Sequence, residues 1–286
     1  MVMSMRESKG KILVTYHKKY PVLTEDFILP IHVGRASTAL TKDGRIHDEE
    51  KQWLVDNLIG DDTGDQISKR NREYSECTGL YWFWKNYDYS KLDYVGVFQY
   101  RRQLILNDLY ERARENREKK VYKCLHMKKS SEICSAAGIT EERILALLRQ
   151  YDCIVPYRTS LEKIGIRSVY EDYMEKIPGV HIPDVFLLED VFQTKYPELS
   201  AKLKEYLNSP NKLMYQIFIT KPDVFSAYCG WLFDLLFAVD PLIDVSLYTT
   251  NGKRTMGYLA EILYGFYFKT MISQEKVLHT GVTYLE

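Results

Sequence analysis

A chain of 286 residues with 45% hydrophobic and 27% charged residues has the makeup of a folded protein with an ample core, which excludes a disordered chain. Its 39 basic residues balance 39 acidic ones, so no basic excess is available for bulk contact with nucleic acid. The five cysteines (77, 124, 134, 153 and 229) show no Cys-x-x-Cys pair and no histidine at zinc spacing, the usage of reduced thiols in a cytosolic protein.

Residues 1–10 are polar and lack the apolar core of a secretory signal, which points to a cytoplasmic chain. Residues 11–17 (Lys-Ile-Leu-Val-Thr-Tyr-His) form an apolar run that turns polar at its end, as a central parallel strand does where it opens onto a ligand crevice. A proline-containing loop leads to residues 29–35, then to the turn-rich segment 60–68. Asn71 is placed to cap a helix with Glu73 in its first turn, and Cys77, Leu80, Tyr81 and Trp84 share one face of it. A second buried strand covers residues 93–100 and runs into Arg101 and Arg102. Residues 108–130 read as a charged insertion.

Further on, residues 140–150 predict an amphipathic helix with Ile144, Leu147 and Leu148 as its apolar stripe, feeding a strand over 151–156. Residues 157–184 read as loop-rich and 213–220 as a strand. Pro222 suits the first turn of a helix reaching about Val239. A last helix covers 255–269, followed by a polar tail. The apolar stretches 228–239 and 258–268 are too short to span a bilayer, and they carry Asp234 and Glu261. Strands alternating with helices predict an α/β fold with a mostly parallel central sheet flanked by helices. The 23 tyrosines suit core margins, and equally sugar or base stacking.

Three features bear on chemistry. Residues 60–68 hold Asp61, Asp62, Asp65, Thr63 and Ser68 between two glycines; they read either as a solvated turn or as a loop holding a polyhydroxylated ligand, and their spacing does not fit an EF-hand. Arg101 and Arg102 at the end of a hydrophobic strand suit an anion such as a diphosphate, or else splay into water. Glu261 lies in an apolar helical segment, where it either works or pairs, with Arg254 as the available partner. His17, His32 and His181 stand in or near loops, without His-Glu-x-x-His spacing. There is no phosphate-binding P-loop, no Gly-x-Gly-x-x-Gly, no Gly-x-Ser-x-Gly and no Asp-x-Asp. The first three absences argue against nucleotide hydrolases, dinucleotide dehydrogenases and serine esterases.

Five ordered stretches carry a family resemblance. These are Thr15-Tyr16-His17-Lys18, residues 29–34, residues 60–68, the set Glu76, Thr78, Tyr81, Trp82, Trp84, Lys85 and Asn86, and the set Arg254, Gly257, Leu259, Glu261 and Leu263. On these motifs the chain resembles the bacterial capsular and exopolysaccharide biosynthesis proteins, long labelled a domain of unknown function, which include β-galactofuranosyltransferases. It departs from them at Gln99, where the family has histidine, and over 216–220, where an Asn-Met-Phe-Ile-Met stands as Gln216-Ile-Phe-Ile-Thr.

The resemblance implies a single GT-A-like domain, with 11–107 the nucleotide-sugar half and 140–270 the acceptor and catalytic half. It implies transfer of one sugar, galactofuranose among the options, from a nucleotide-sugar, UDP-linked by preference, onto a lipid-linked oligosaccharide, by an inverting route. Peripheral contact with the inner membrane face would follow. In that scheme Thr15, His17, His32, Val33, Gly34, Arg35, Asp62, Asp65, Ser68, Tyr100, Arg101 and Arg102 border the donor. His181, Gln216 and Arg254 meet the acceptor, and Glu261, then Asp184, is the general base. The arginine pair would take the electrostatic role that a divalent cation takes elsewhere, so a cation (Mn or Mg) at the acidic loop is an option but not the favoured one. Two other readings stay open: a non-catalytic subunit binding nucleotide-sugar or polysaccharide, and a phosphotransferase.

Overall fold

The computed structural model describes residues 8–38, 48–109, 112, 124–128, 132–176 and 179–285. Much of the charged segment 108–130 lies outside them. The strands are β1 (Gly10–Tyr16), β2 (Ile28–His32), β3 (Ile59–Gly60), β4 (Tyr94–Gln99), β5 (Cys124–Met127), β6 (Cys153–Pro156), β7 (Thr159–Ser160), β8 (Asn211–Lys212), β9 (Phe218–Thr220), β10 (Val277–Thr280) and β11 (Val282–Leu285). Seven of them form one sheet in the order β10-β6-β9-β4-β1-β2-β3. β9 runs antiparallel to both β4 and β6, and the other pairings are parallel. The α/β architecture with a mostly parallel sheet expected from the sequence is therefore present.

Both faces of the sheet are covered, which is why its strands are apolar without interruption. The pleat sends alternate side chains to opposite cores. Leu13, Val95 and Val97 pack with the helices Cys77–Asn86, Pro222–Val239 and Thr255–Thr270 on one face. Ile12, Val14, Tyr16, Tyr94 and Phe98 pack on the other against Ile133, Ile144 and Leu148. Truncating a fully buried ring such as Phe98 to alanine would cost about 3–5 kcal/mol. Pro222–Leu242 is long and apolar enough to cross a membrane, unlike the shorter stretch visible in the sequence; half of that span is buried inside the protein, as in a core helix. Cys77, Cys134, Cys153 and Cys229 are buried free thiols.

Several expectations need correction. Asn71 does not cap one long helix. A short turn Asn71–Tyr74 breaks at Ser75, whose φ is 51°, and a new helix runs over Cys77–Asn86. Asn71 bridges the break, its Nδ2 donating to the Ser75 carbonyl (2.7 Å) and to Thr78 Oγ1 (3.0 Å). The strand expected over 213–220 shrinks to β9, because Tyr215 (φ 78°) and Gln216 (φ 48°) leave the extended region. Residues 157–184 include the helix Val169–Lys176, and the polar tail is β10 and β11, the former extending the main sheet.

Candidate functional site

At the C-terminal edge of the parallel strands, where open α/β sheets bind ligands, lies a cleft of about 610 Å³. One wall is the end of β4. There the chain reverses in a tight turn: the Arg102 amide donates to the Gln99 carbonyl (3.0 Å), and the Gln99 amide to the Arg102 carbonyl (3.2 Å). The reversal delivers both Arg101 and Arg102 to the cleft. Their guanidinium groups lie against aromatic faces, Arg101 5.2 Å and Arg102 5.0 Å from the Tyr284 ring centre, with Arg102 4.5 Å from Tyr215. The Nε of each is buried and has no hydrogen-bond partner among the described residues. Two half-buried cations with orphaned donors have the chemistry to receive an anion.

The opposite wall is the strained turn before β9 and the start of the helix Thr255–Thr270. Two adjacent non-glycine residues in the left-handed region are costly unless held. Here Glu261 holds them: its Oε2 accepts from the Tyr215 amide at 2.8 Å, while its Oε1 pairs with Lys212 Nζ at 3.0 Å. Lys212, buried, also binds Asp172 at 2.8 Å. Burial alone would raise the pKa of Glu261, but Lys212, the Tyr215 amide and Arg102 outweigh it and hold this carboxyl below its ordinary value. Its partner is thus Lys212 rather than Arg254, whose Nε donates to Ser75 Oγ (2.9 Å). Both oxygens of Glu261 are engaged in structure.

Glu76 occupies the floor of the cleft and is the carboxylate that sequence reasoning left without a role. Burial raises its pKa, with Glu261 adding to the rise and Arg254 and Arg102 opposing it. Its Oε1 accepts from Gln99 Nε2 at 2.8 Å; the same Nε2 donates to the Tyr215 carbonyl (2.7 Å), and Arg102 Nη1 donates to Gln99 Oε1 (2.6 Å). Glu76 stands just before the Cys77–Asn86 helix, because the Ser75 break redirects the chain there. Gly257 permits this approach, since a Cβ on it would lie 2.9 Å from Ser75 Oγ. The signal in the sequence was the position of Glu76 at the head of its motif.

Thr15, His17, Val33, Tyr100, Gln216 and Arg254, all singled out in the sequence, are among the other residues that line it, with Arg72. His17 lines the cleft edge-on to Tyr100, with ring centres 5.0 Å apart. Desolvation, and then the positive charges of Lys18, Arg254, Arg101 and Arg102, push its pKa down to about 4, so it is neutral at physiological pH. Four arginines line a cleft whose two carboxylates are Glu76 and the ion-paired Glu261.

Other residues singled out in the sequence lie outside this lining. His32, Gly34, Arg35, Asp62, Asp65 and Ser68 belong to a knot centred on Asp61. Its buried carboxylate accepts from the amides of Gly34 (2.9 Å) and Arg35 (3.1 Å) and from Ser68 Oγ. Asp62 pairs with Arg35 at 3.8 Å, and Asp65 accepts from Tyr81 Oη at 2.9 Å. His32 is buried, and burial lowers its pKa. The Asp61 carboxylate is thus taken up by the turn itself, and neither Asp62 nor Asp65 lines the cleft that holds His17 and Arg101. Asp184 is buried under three hydroxyls, those of Tyr248 (2.6 Å), Tyr173 (3.1 Å) and Thr255 (3.2 Å), which suits an anchor rather than a base. His181 packs on Tyr248 beside it, ring centres 4.3 Å apart. Among the described residues no three His, Cys, Asp or Glu side chains cluster in a way that could hold a metal ion.

Residues 11–273 match the family described as a domain of unknown function, DUF4422. Among solved structures the chain is similar to the apo structure of the WbbM bifunctional glycosyltransferase, with 27% identity and a TM-score of 0.82. The match covers 97% of this chain and 45% of that one, so this chain spans less than half the length of that protein. No curated protein sequence matches it.

Proposed function

The chain belongs to the DUF4422 family, and we propose that it is a glycosyltransferase that moves one sugar from a nucleotide-sugar to a saccharide acceptor at the cleft between Arg101–Arg102 and Glu76. The observation that carries this reading is the pair of half-buried guanidinium groups with unpartnered Nε atoms, in the same cleft as a carboxylate of raised pKa. The likeness to one half of a bifunctional glycosyltransferase supports it.

In this reading Arg101 and Arg102 bind the donor diphosphate. As the bond from the anomeric carbon to the phosphate oxygen breaks, negative charge grows on the leaving nucleoside diphosphate, and the fixed guanidinium charges stabilise it without reorganising. Glu76, rather than Glu261 or Asp184, takes the proton from the acceptor hydroxyl while that oxygen attacks the anomeric carbon. A pKa lifted toward working pH suits a general base. One such carboxylate implies direct displacement with inversion. Glu261 acts through Tyr215 and Gln216, holding the wall against which the acceptor lies. The first half of the chain then serves the donor and the second half the acceptor, and a UDP-sugar, galactofuranose included, a lipid-linked oligosaccharide and a cytoplasmic site at the inner membrane face fit the family resemblance.

A melting-temperature screen of nucleotide-sugars and nucleoside diphosphates tests this reading, because a ligand that binds only the folded state raises stability by mass action. The cognate donor is expected to stabilise the protein, and Arg101→Ala to reduce the stabilisation at the same donor concentration. Stabilisation by no nucleotide would contradict the reading.

A further inference from the structure

Outside the cleft, a second pair of cations stands without a counter-ion. Arg158 follows β6 at the same edge of the sheet, two strand positions from β4 and its arginines. Its Nη2 donates to Gln274 Oε1, and Gln274 Nε2 donates to the Phe268 carbonyl (2.9 Å), so a single amide links Arg158 to the segment bearing Lys269. Lys269 Nζ lies 5.3 Å from the centre of the Tyr206 ring. Tyr206, beneath Lys269 and within the electrostatic reach of Arg158, is 2% exposed. Its hydroxyl and the buried Nε of Arg158 have no hydrogen-bond partner among the described residues. Neither Arg158 nor Lys269 forms an ion pair with any described carboxylate; the acid that Lys269 senses is the exposed Glu205. Burial, and then the charge of Arg158, lowers the pKa of Lys269, and burial lowers that of Arg158.

Two half-buried like charges with idle donors oppose each other until an anion joins them. A guanidinium and an ammonium brought close through Gln274 and Tyr206 supply the kind of charged N–H donors that the oxygens of a phosphoryl group accept. We propose that Arg158 and Lys269 form a second anion site, distinct from the cleft, that takes a phosphate-class oxyanion. The group could be borne on a phosphorylated saccharide or be free phosphate, and both present the same oxygens.

The test uses the full chain carrying Arg101→Ala and Arg102→Ala, which removes the arginine pair of the cleft. Melting is followed against inorganic phosphate and against glucose 1-phosphate, with sodium chloride at matched ionic strength as the control. The expected result is a saturable rise of about 2–4 °C at a roughly tenfold excess over Kd. The rise should vanish when either Arg158→Gln or Lys269→Gln is added. Without phosphate, Lys269→Gln should melt no lower than its parent, since it relieves a repulsion; this separates lost binding from misfolding. A larger shift with glucose 1-phosphate identifies a phosphosaccharide subsite, and equal shifts identify a site for the phosphate group alone. A rise that survives both substitutions, or one that sodium chloride reproduces, would overturn the proposal.

Discussion

Gln99 Nε2 donates to Glu76 Oε1 across 2.8 Å while Gln99 Oε1 accepts from Arg102, so one neutral amide couples the cleft carboxylate to the cleft cation. The amide sets the orientation of both without supplying a charge of its own. Glu76→Gln keeps the acceptor oxygen for Gln99 and removes only the basicity. Turnover is expected to fall about a hundredfold or more with the melting temperature near that of the parent. Parent-like kcat in this variant would remove Glu76 from the chemistry.

The pH dependence of turnover follows from the same group. Burial raises Glu76, so the acid limb of kcat/KM is expected above the ordinary glutamate value, with activity growing as the carboxyl loses its proton. His17, held at about 4, is already neutral across that range. A profile measured with Glu76→Asp should shift its acid limb, and one measured with His17→Asn should not. The reverse pattern would assign the limb to the histidine.

Arg101→Ala and Arg102→Ala are each expected to weaken nucleoside diphosphate binding about tenfold or more, read by calorimetry, while the fold is retained. Arg102→Ala also releases Gln99 and should therefore reduce kcat as well. Unchanged affinity in both variants would mean that the unpartnered Nε atoms have no ligand.

Glu261→Gln separates positioning from chemistry. Lys212 keeps Asp172, so the loss is expected to be about 1–3 kcal/mol of stability, with kcat within roughly tenfold of the parent. Because the folded-state pKa of Glu261 is depressed, its contribution is complete above the unfolded glutamate value and is lost as pH falls through the lowered folded value. The stability gap between variant and parent should accordingly narrow toward acid pH. A gap that widens there, or a hundredfold loss of kcat, would return Glu261 to the role of base.

The sheet was legible because β1, β4 and β6 are buried on both faces and read as short apolar runs. The arginine pair was legible for the same reason, since nothing in a buried strand explains two consecutive guanidinium groups. What escaped depends on backbone breaks that pattern cannot show. Ser75 sits in a left-handed conformation in the middle of a helical period, so Glu76 looked like one more residue of a continuous helix. Tyr215 and Gln216 interrupt a strand-like apolar run in the same way. The acidic segment misled because Asp61, the carboxylate that organises it, turns inward to amides and a hydroxyl, a partnership no spacing announces. Lys212 was missed as the partner of Glu261 because they are 49 positions apart in sequence and meet only through folding.

The most direct measurement is product mass from the full-length chain, a panel of nucleotide-sugars and a saccharide acceptor, run beside Glu76→Gln. The account predicts that the acceptor gains the mass of one sugar for each nucleoside diphosphate released, and that Glu76→Gln loses this gain while still being stabilised by the donor. An acceptor unchanged in mass with every donor that binds would contradict catalysis and leave a binding subunit, and a gain of sugar phosphate would make the protein a phosphotransferase instead.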